Sequence, residues 1–171
     1  LPTCTFEEVS GVDLLCIPGG FGVSEAMRDE RLMSFVRRAG REASYLTSVC
    51  TGAFVLGAAG LLTEKRATTH WAYRHLLTKV GATPVDQRVV RDGHVITGGG
   101  VTAGIDFAFA VVEEISGPEV AQRIQVGLEY RPDAKTYPDP DHGAVKSVRQ
   151  GYSSRVLEFS CELDQLEFKL C

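Results

Sequence analysis

The sequence has no excess of basic residues, because 18 lysines and arginines stand against 22 aspartates and glutamates and the formal net charge is −4. Nucleic acids and anionic membrane surfaces attract proteins through clustered positive charge, so neither is expected as a partner. An uninterrupted apolar run of about 18 residues, which a membrane-spanning helix needs, is also missing. Residues 1–8 have neither the basic nor the apolar segment of a secretory signal, and we therefore expect a cytoplasmic protein.

Paired cysteines are missing as well. The chain has an odd number of cysteines, with no Cys-x-x-Cys pair and no regular spacing: Cys4, Cys16, Cys50, Cys161 and Cys171. This pattern argues against a disulfide framework and against a zinc site, and it favours reduced thiols in a cytosolic setting. We expect no bound metal.

The first part of the chain is typical of an α/β domain. A length of 171 residues with 44% hydrophobic residues suits one domain with a buried core. Residues 12–17 are apolar on both faces apart from Asp13, which predicts a central parallel strand with Cys16 in the core. Asp29 is placed to cap a helix over residues 30–40. One face of that helix is predicted to be buried: Leu32, Phe35, Val36 and Ala39.

The segment 45–62 contains the main candidate for a catalytic residue. It begins as a short β-branched and apolar run of strand length, and from Gly52 onwards it is apolar all round, as in a buried helix. Cys50 lies between the two parts, with only Thr51 and Gly52 to turn the chain, which predicts a nucleophile elbow. The free N–H groups and the dipole at the start of the helix would favour the thiolate there. The alternative is a buried structural cysteine.

Two other segments are candidates for the same site. The glycines of Pro18-Gly19-Gly20-Phe21-Gly22 allow backbone N–H groups to approach a ligand, so this loop is either half of an oxyanion hole or a plain turn. His70 ends a predicted short strand, residues 66–70, on the edge where α/β proteins place their ligands. It is a candidate partner for the thiol, although a lone histidine is more often structural. His75 and His142 are predicted to be surface residues.

The following residues predict a hairpin and an apolar helix. Residues 87–90 and 94–97 are joined at Asp92-Gly93, a turn signal for a β-hairpin. Gly98-Gly99-Gly100 precedes a helix predicted over residues 103–115, with Thr102 as its cap. These glycines lack the spacing of a phosphate-binding loop, so close packing of the helix on the sheet is the preferred explanation.

The last part of the chain is less informative. Pro118 is predicted to begin a helix that runs to about residue 130. Residues 131–142 are rich in proline and aspartate and predict a loop. The tail, residues 153–171, alternates only weakly between apolar and polar residues, and the pattern assigns it no place in the fold.

Four segments together resemble the signature segments of the ThiJ/PfpI family, within the class I glutamine amidotransferase-like superfamily: Ile17-Pro18-Gly19-Gly20, Ser48-Val49-Cys50-Thr51-Gly52-Ala53, Ala67-Thr68-Thr69-His70-Trp71 and Thr102-Ala103-Gly104-Ile105-Asp106. The resemblance covers residues 12–130. It implies a flavodoxin-like sandwich with a mostly parallel sheet flanked by helices, a homodimer, and no metal or cofactor. It divides the chain into an α/β domain over residues 1–152 and a divergent tail over 153–171.

The resemblance is strongest to family members that hydrate isonitriles, which implies a small-molecule substrate and Cys50 as the nucleophile. The thiolate would attack the terminal carbon of R–N≡C, and water would then release an N-substituted formamide. Thr51 would offer its hydroxyl and backbone N–H to the adduct, and Gly20 a second N–H.

The sequence departs from the family pattern in two places. Protease-like members have Cys-His-Gly at the elbow, where this chain has Cys-Thr-Gly, so peptide hydrolysis is not expected. The family also begins with strand–helix units that bring an acidic residue next to the cysteine, and the resemblance starts after them. Glu25 is not expected to replace that acid. The sequence therefore predicts the family's thiol site with weakened or no turnover.

Two alternatives come from other functional classes. The N-terminal domains of some AraC-type transcriptional regulators share the segments around Cys50 and His70, and there the pocket senses a ligand. The chain after residue 130 is too short and too acidic for the DNA-binding domain of such regulators. The other alternative is a redox-sensing family member in which Cys50 is oxidised reversibly.

Overall fold

The computed structural model describes residues 3–131 and 143–166, with the backbone alone described at 143–149. The chain begins with β1 (Leu14–Ile17), α1 (Val23–Arg28), α2 (Glu30–Glu42), β2 (Tyr45–Val49) and α3 (Gly52–Ala58). It continues with β3 (Arg66–Ala67), a 3-10 helix (Trp71–Val80), β4 (Thr83–Pro84), β5 (Val89–Asp92) and β6 (Val95–Gly98). The remaining helices are α4 (Ala103–Ser116), α5 (Pro118–Gly127) and α6 (Gly143–Gln165).

The main sheet has the strand order β1-β2-β6-β5. β2 is parallel to β1 and to β6, while β5 and β6 form the antiparallel hairpin predicted from Asp92-Gly93. β3 and β4 form a separate, small parallel pair. The predicted α/β class, with a mostly parallel sheet flanked by helices, is confirmed. Because β1 and β6 both flank β2, their carboxyl ends meet beside the end of β2.

The prediction for β1 is wrong in one respect. Leu15 is buried, but Cys16 is exposed rather than part of the core. Among the described strands β1 lies at one end of the sheet and pairs only with β2. Successive side chains of a strand point to opposite faces, and only the face of Leu15 is covered.

The second helix begins where the sequence predicts. The Asp29 side chain accepts hydrogen bonds from the N–H groups of Arg31 and Leu32, which caps α2. The predicted buried face is partly wrong, since Leu32 and Phe35 are half-buried and the most enclosed residues are Met33, Val36, Ala39 and Gly40. Phe35 instead stacks on Phe6, with 4.7 Å between ring centroids. The buried face of α2 is therefore rotated about the helix axis relative to the predicted face.

Three other local predictions have mixed outcomes. α4 packs closely on the sheet as expected, because a Cβ built on Gly98 would lie 3.0 Å from Cβ of Phe107. Thr102 occupies the N-cap position of α4 as predicted, but its side chain makes no capping hydrogen bond. The strand predicted over residues 66–70 is formed only at Arg66–Ala67, and the helix predicted after it is the 3-10 helix.

The final helix extends through the predicted boundary at residue 152 and packs on the core. Phe159 and Leu163 are buried, and the Phe159 ring lies 4.8 Å from the ring of Phe54 on α3. Lys79 of the 3-10 helix forms an ion pair with Asp164. Of the loop predicted at 131–142, only Arg131 is among the described residues. His142 and Cys171 lie outside them. None of the described helices has the length and apolar character needed to cross a membrane.

Candidate active site

The junction between β2 and α3 is a strained elbow. Cys50 has a φ of +57°, in the left-handed region that residues other than glycine rarely adopt. Its N–H donates to the carbonyl oxygens of Gly98 at 3.0 Å and Gly99 at 2.8 Å, which holds the strained backbone against the end of β6. Such a conformation costs on the order of 1–3 kcal/mol and persists only where the surroundings impose it. The predicted strand–Cys50–helix geometry is confirmed.

The Cys50 side chain is half-buried, so it is not the enclosed structural cysteine of the alternative interpretation. The other three described cysteines, Cys4, Cys16 and Cys161, are exposed. Among the described residues no group of three His, Cys, Asp or Glu side chains is placed to hold a metal ion.

Two glycines let the loop after β1 contact the elbow. A Cβ built on Gly19 would lie 2.6 Å from the backbone nitrogen of Thr51 and 2.8 Å from Cβ of Cys50. A Cβ built on Gly52 would overlap the carbonyl oxygen of Ile17 and lie 2.8 Å from that of Pro18. Real Cβ atoms essentially never approach backbone atoms this closely, so this packing requires glycine at both positions.

The two predicted donors, Thr51 and Gly20, bond to each other. The Gly20 N–H donates to Thr51 Oγ1 at 3.0 Å, and the Thr51 hydroxyl donates to the Gly20 carbonyl oxygen at 3.3 Å. Thr51 is buried. The pair fixes the glycine loop beside Cys50. The Thr51 hydroxyl and the Gly20 N–H can donate to an adduct only if they exchange partners, whereas the backbone N–H of Thr51 is not part of the pair.

Thr69 is a site residue that the sequence reasoning missed. Its hydroxyl donates to the carbonyl oxygen of Cys50 at 2.6 Å, which supports the elbow from the side of the 3-10 helix. Thr69 is fully buried. The available signal was its place beside His70 in a segment already associated with the thiol.

His70 caps the 3-10 helix and makes no hydrogen bond to Cys50 within the described part of the chain. Its Nδ1 accepts the N–H of Ala72 at 3.3 Å, so the ring proton of the neutral form is on Nε2. Burial, and to a smaller extent the charge of Arg74, lowers the pKa of His70. The ring packs against aromatic neighbours instead, with centroids 5.4 Å from Trp71 and 5.2 Å from Tyr152. The geometry favours a neutral wall residue over a base. His75 is exposed, as predicted.

Glu25 lines a groove between α1 and α6 with Arg155 and Glu162. Cys50 is not among the residues of that groove. That Glu25 does not replace the family's acid stays a prediction.

The mostly parallel sheet, its flanking helices and the strained cysteine between a strand and a helix define an α/β protein of flavodoxin-like fold with a nucleophile elbow. The chain belongs to the DJ-1/PfpI family, whose profile matches residues 1–114. The family predicted from the segments around Cys50 is thereby confirmed.

Two individual relatives have different functions in their names. The chain is 56% identical to isonitrile hydratase of Pseudomonas putida over 131 residues, which is 77% of this chain and 58% of that enzyme. It is 31% identical to the HTH-type transcriptional regulator CdhR of Pseudomonas aeruginosa over 150 residues, 85% of this chain and 43% of the regulator. The chain therefore spans little more than half the length of the first and less than half of the second.

A solved structure covers almost the whole chain. The crystal structure of a ThiJ/PfpI family protein from Pseudomonas syringae matches with a TM-score of 0.84 and 40% identity, covering 97% of this chain and 69% of that one. Drosophila melanogaster DJ-1beta matches with a TM-score of 0.64 and 26% identity, over 74% of this chain and 68% of that one.

Proposed function

We propose that this chain carries the chemistry of its relative isonitrile hydratase, a cysteine-dependent addition of water to an isonitrile that gives an N-substituted formamide. The observation that carries the proposal is Cys50. It stands in left-handed backbone at the end of β2, half-exposed, in a sequence 56% identical to that enzyme. Strain of this kind is concentrated at functional sites.

The reaction divides into two steps. The Cys50 thiolate attacks the terminal carbon of R–N≡C, and the same carbon takes a proton from water, giving a thioimidate, Cys–S–CH=N–R. The hydroxide equivalent left behind adds to the C=N carbon, its proton passes to nitrogen, and the C–S bond breaks. Free thiolate and the formamide H–CO–NH–R result, so one isonitrile and one water give one product. Covalent catalysis of this kind replaces one difficult step by two easier ones.

The surroundings of Cys50 suit the adduct better than they suit proton transfer. Thr51 and Gly20 carry the predicted donors. They can donate to the nitrogen or oxygen of the adduct once the hydrogen bonds between them are broken. Within the described residues no carboxylate is hydrogen-bonded to Cys50. Water must then supply the proton, and we expect slow turnover.

The test is formamide release from a simple isonitrile by the wild-type chain and by Cys50→Ala, with Cys161→Ala as the matched control. Cys161 is an exposed thiol on α6, so its loss should leave the rate unchanged. Loss of turnover in Cys50→Ala alone is the expected result. Equal rates for the wild type and Cys50→Ala would end the assignment of Cys50 as nucleophile.

A second candidate function is ligand sensing. It is supported by the 31% identity to the regulator CdhR over 85% of this chain. In that case the thiol site binds a small molecule without releasing a product, and a separate domain contacts DNA. Ligand binding with no formamide release would favour this function over the hydratase.

A homodimer in the cytoplasm completes the proposal. Helices α4 and α5 and the turn after them expose several large apolar side chains, including Ile115, Ile124, Val126 and Leu128. An exposed apolar surface of this kind is typical of protein contacts. Sedimentation equilibrium tests the stoichiometry, and a monomer at all concentrations would contradict it.

A further inference from the structure

Four aromatic rings form a cluster between the 3-10 helix and α6. The His70 ring centroid lies 5.4 Å from that of Trp71, 5.7 Å from Tyr73 and 5.2 Å from Tyr152. Trp71 and Tyr152 meet edge to face, with 5.4 Å between their centroids. We call these four residues the aromatic cluster. Such spacings are those of favourable aromatic pairs.

The cluster lies beside Cys50, as two independent contacts show. Thr69, the residue before His70, donates its hydroxyl to the Cys50 carbonyl oxygen at 2.6 Å. On the other side, a Cβ built on Gly100 would lie 3.1 Å from Cδ2 of His70, and the carbonyl of the preceding Gly99 accepts the Cys50 N–H. Burial, followed by the charge of Tyr152 and to a smaller extent that of Cys50, raises the pKa of Tyr73, which therefore also lies within electrostatic range of the elbow.

The aromatic cluster is continuous with the contact between α6 and the core, since Tyr73 also meets Phe159 edge to face with 5.4 Å between ring centroids. Phe159 and Leu163, about two and three helical turns after Tyr152, are buried and hold α6 on the core. Tyr152 therefore reaches the cluster from a helix already fixed elsewhere. Tyr73 is buried, whereas Trp71 and Tyr152 are half-buried and keep part of their rings accessible.

We propose that the aromatic cluster binds the nitrogen substituent of the substrate, and that this site selects aromatic isonitriles and formamides over small alkyl ones. The inference rests on the proposed function for the identity of the reacting group. Its physical basis is that rings fixed by their neighbours offer π-faces and edges to an incoming ring at little cost in conformational entropy. A methyl substituent offers no ring to stack on Trp71 or Tyr152.

The experiment uses the intrinsic fluorescence of Trp71, which is the single tryptophan of the chain and belongs to the aromatic cluster. The probes are three stable formamides of the product class: N-benzylformamide, N-methylformamide and N-(cyclohexylmethyl)formamide. Titration of the full chain should give a dissociation constant for the benzyl compound at least about tenfold below those of the other two, equivalent to about 1.4 kcal/mol.

Variants of α6 identify the residue responsible. Tyr152→Ala should remove the preference for the benzyl compound, while Tyr152→Phe keeps the ring and should keep the preference. Leu157→Ala is the matched control, since Leu157 is on the same helix and 67% exposed. Tyr152→Leu keeps an apolar side chain at this position and should also lose the preference, in case the alanine variant does not fold. Far-UV circular dichroism checks the folding of each variant.

The outcomes separate this inference from the proposed function. Equal affinity for the benzyl and cyclohexylmethyl compounds, or a preference that survives in both Tyr152→Ala and Tyr152→Leu, would overturn the aromatic site. Selective binding of the benzyl compound without any formamide release from an isonitrile would support the aromatic site and overturn the hydratase. Formamide release with no aromatic selectivity would support the hydratase and overturn the aromatic site.

Discussion

Replacing Gly52 by alanine should disrupt the elbow. The added Cβ would overlap the carbonyl oxygen of Ile17 and lie 2.8 Å from that of Pro18 and 2.9 Å from the Ile17 carbonyl carbon. All three are backbone atoms at the end of β1, so no side-chain rotation can relieve the clash. Either α3 moves away from β1 or the glycine loop moves away from the elbow, and both shift Cys50.

The expected cost is at the upper end of the overpacking range, about 3 kcal/mol. For a chain of this size each 1 kcal/mol changes the melting temperature by roughly 2–4 °C, so Gly52→Ala should lower it by about 6–12 °C. Differential scanning calorimetry measures the shift. Formamide release should fall as well, because the thiol and its donors no longer keep their geometry.

Gly104→Ala is a matched control in the first turn of α4. Its Cβ would lie 3.7 Å from Cγ1 of Val49, an ordinary contact. Alanine in a helix is favoured over glycine by up to about 1 kcal/mol, so this variant should melt at or above the wild-type temperature. A Gly52→Ala protein as stable as Gly104→Ala would refute the packing argument for the elbow.

Two further predictions concern the supports of the site. Thr69→Val removes the 2.6 Å hydrogen bond to the Cys50 carbonyl, which should cost about 1–3 kcal/mol in urea unfolding, whereas Thr78→Val, which loses an exposed bond, should cost little. Because burial lowers the pKa of His70, neutral His70 contributes to the free energy of unfolding. That contribution is fully present above the ordinary pKa of about 6.5 and is lost as the pH falls through the lowered pKa. His70→Asn, which keeps a capping oxygen, should flatten the decline in melting temperature between pH 7.5 and 5, and His75→Asn should not; identical slopes for all three proteins would contradict this.

The elbow could be predicted because its signals are local. A short β-branched strand, a cysteine and a glycine followed by an all-apolar segment leave few other geometries for residues 45–58. The same holds for the Asp29 cap and for the hairpin at Asp92-Gly93. Each depends on residues within about one turn of each other, where backbone preferences decide the conformation.

The features that the sequence did not reveal depend on distant partners. Whether Cys16 is covered is decided by what packs on β1, which residues 12–17 do not encode. The mutual bond of Thr51 and Gly20 joins positions 31 residues apart. It engages the Gly20 N–H and the Thr51 hydroxyl, whose role as donors to an adduct stays a prediction.

The sequence pattern assigns α6 no place in the fold because its apolar residues alternate only weakly with polar ones. Its covered residues recur at helical spacing: Tyr152, Val156, Phe159, Leu163 and Leu166. Leu157, which is 67% exposed, obscures this stripe in the sequence. Sorting the apolar residues by a period of 3.6 rather than 2 would have recovered the helix, although not its contact with His70 and Trp71.

The contact between Gly52 and the end of β1 means that the residues on the two sides of Cys50 differ in how many substitutions they tolerate. On one side, backbone meets backbone, and almost any mutation there would be purged together with the fold. On the other side, Tyr152 is a half-buried side chain of α6, and its substitution would leave the backbone contacts of the elbow in place. Libraries that diversify position 152 should therefore yield altered substrate ranges, whereas libraries at the elbow should return mostly the parental sequence.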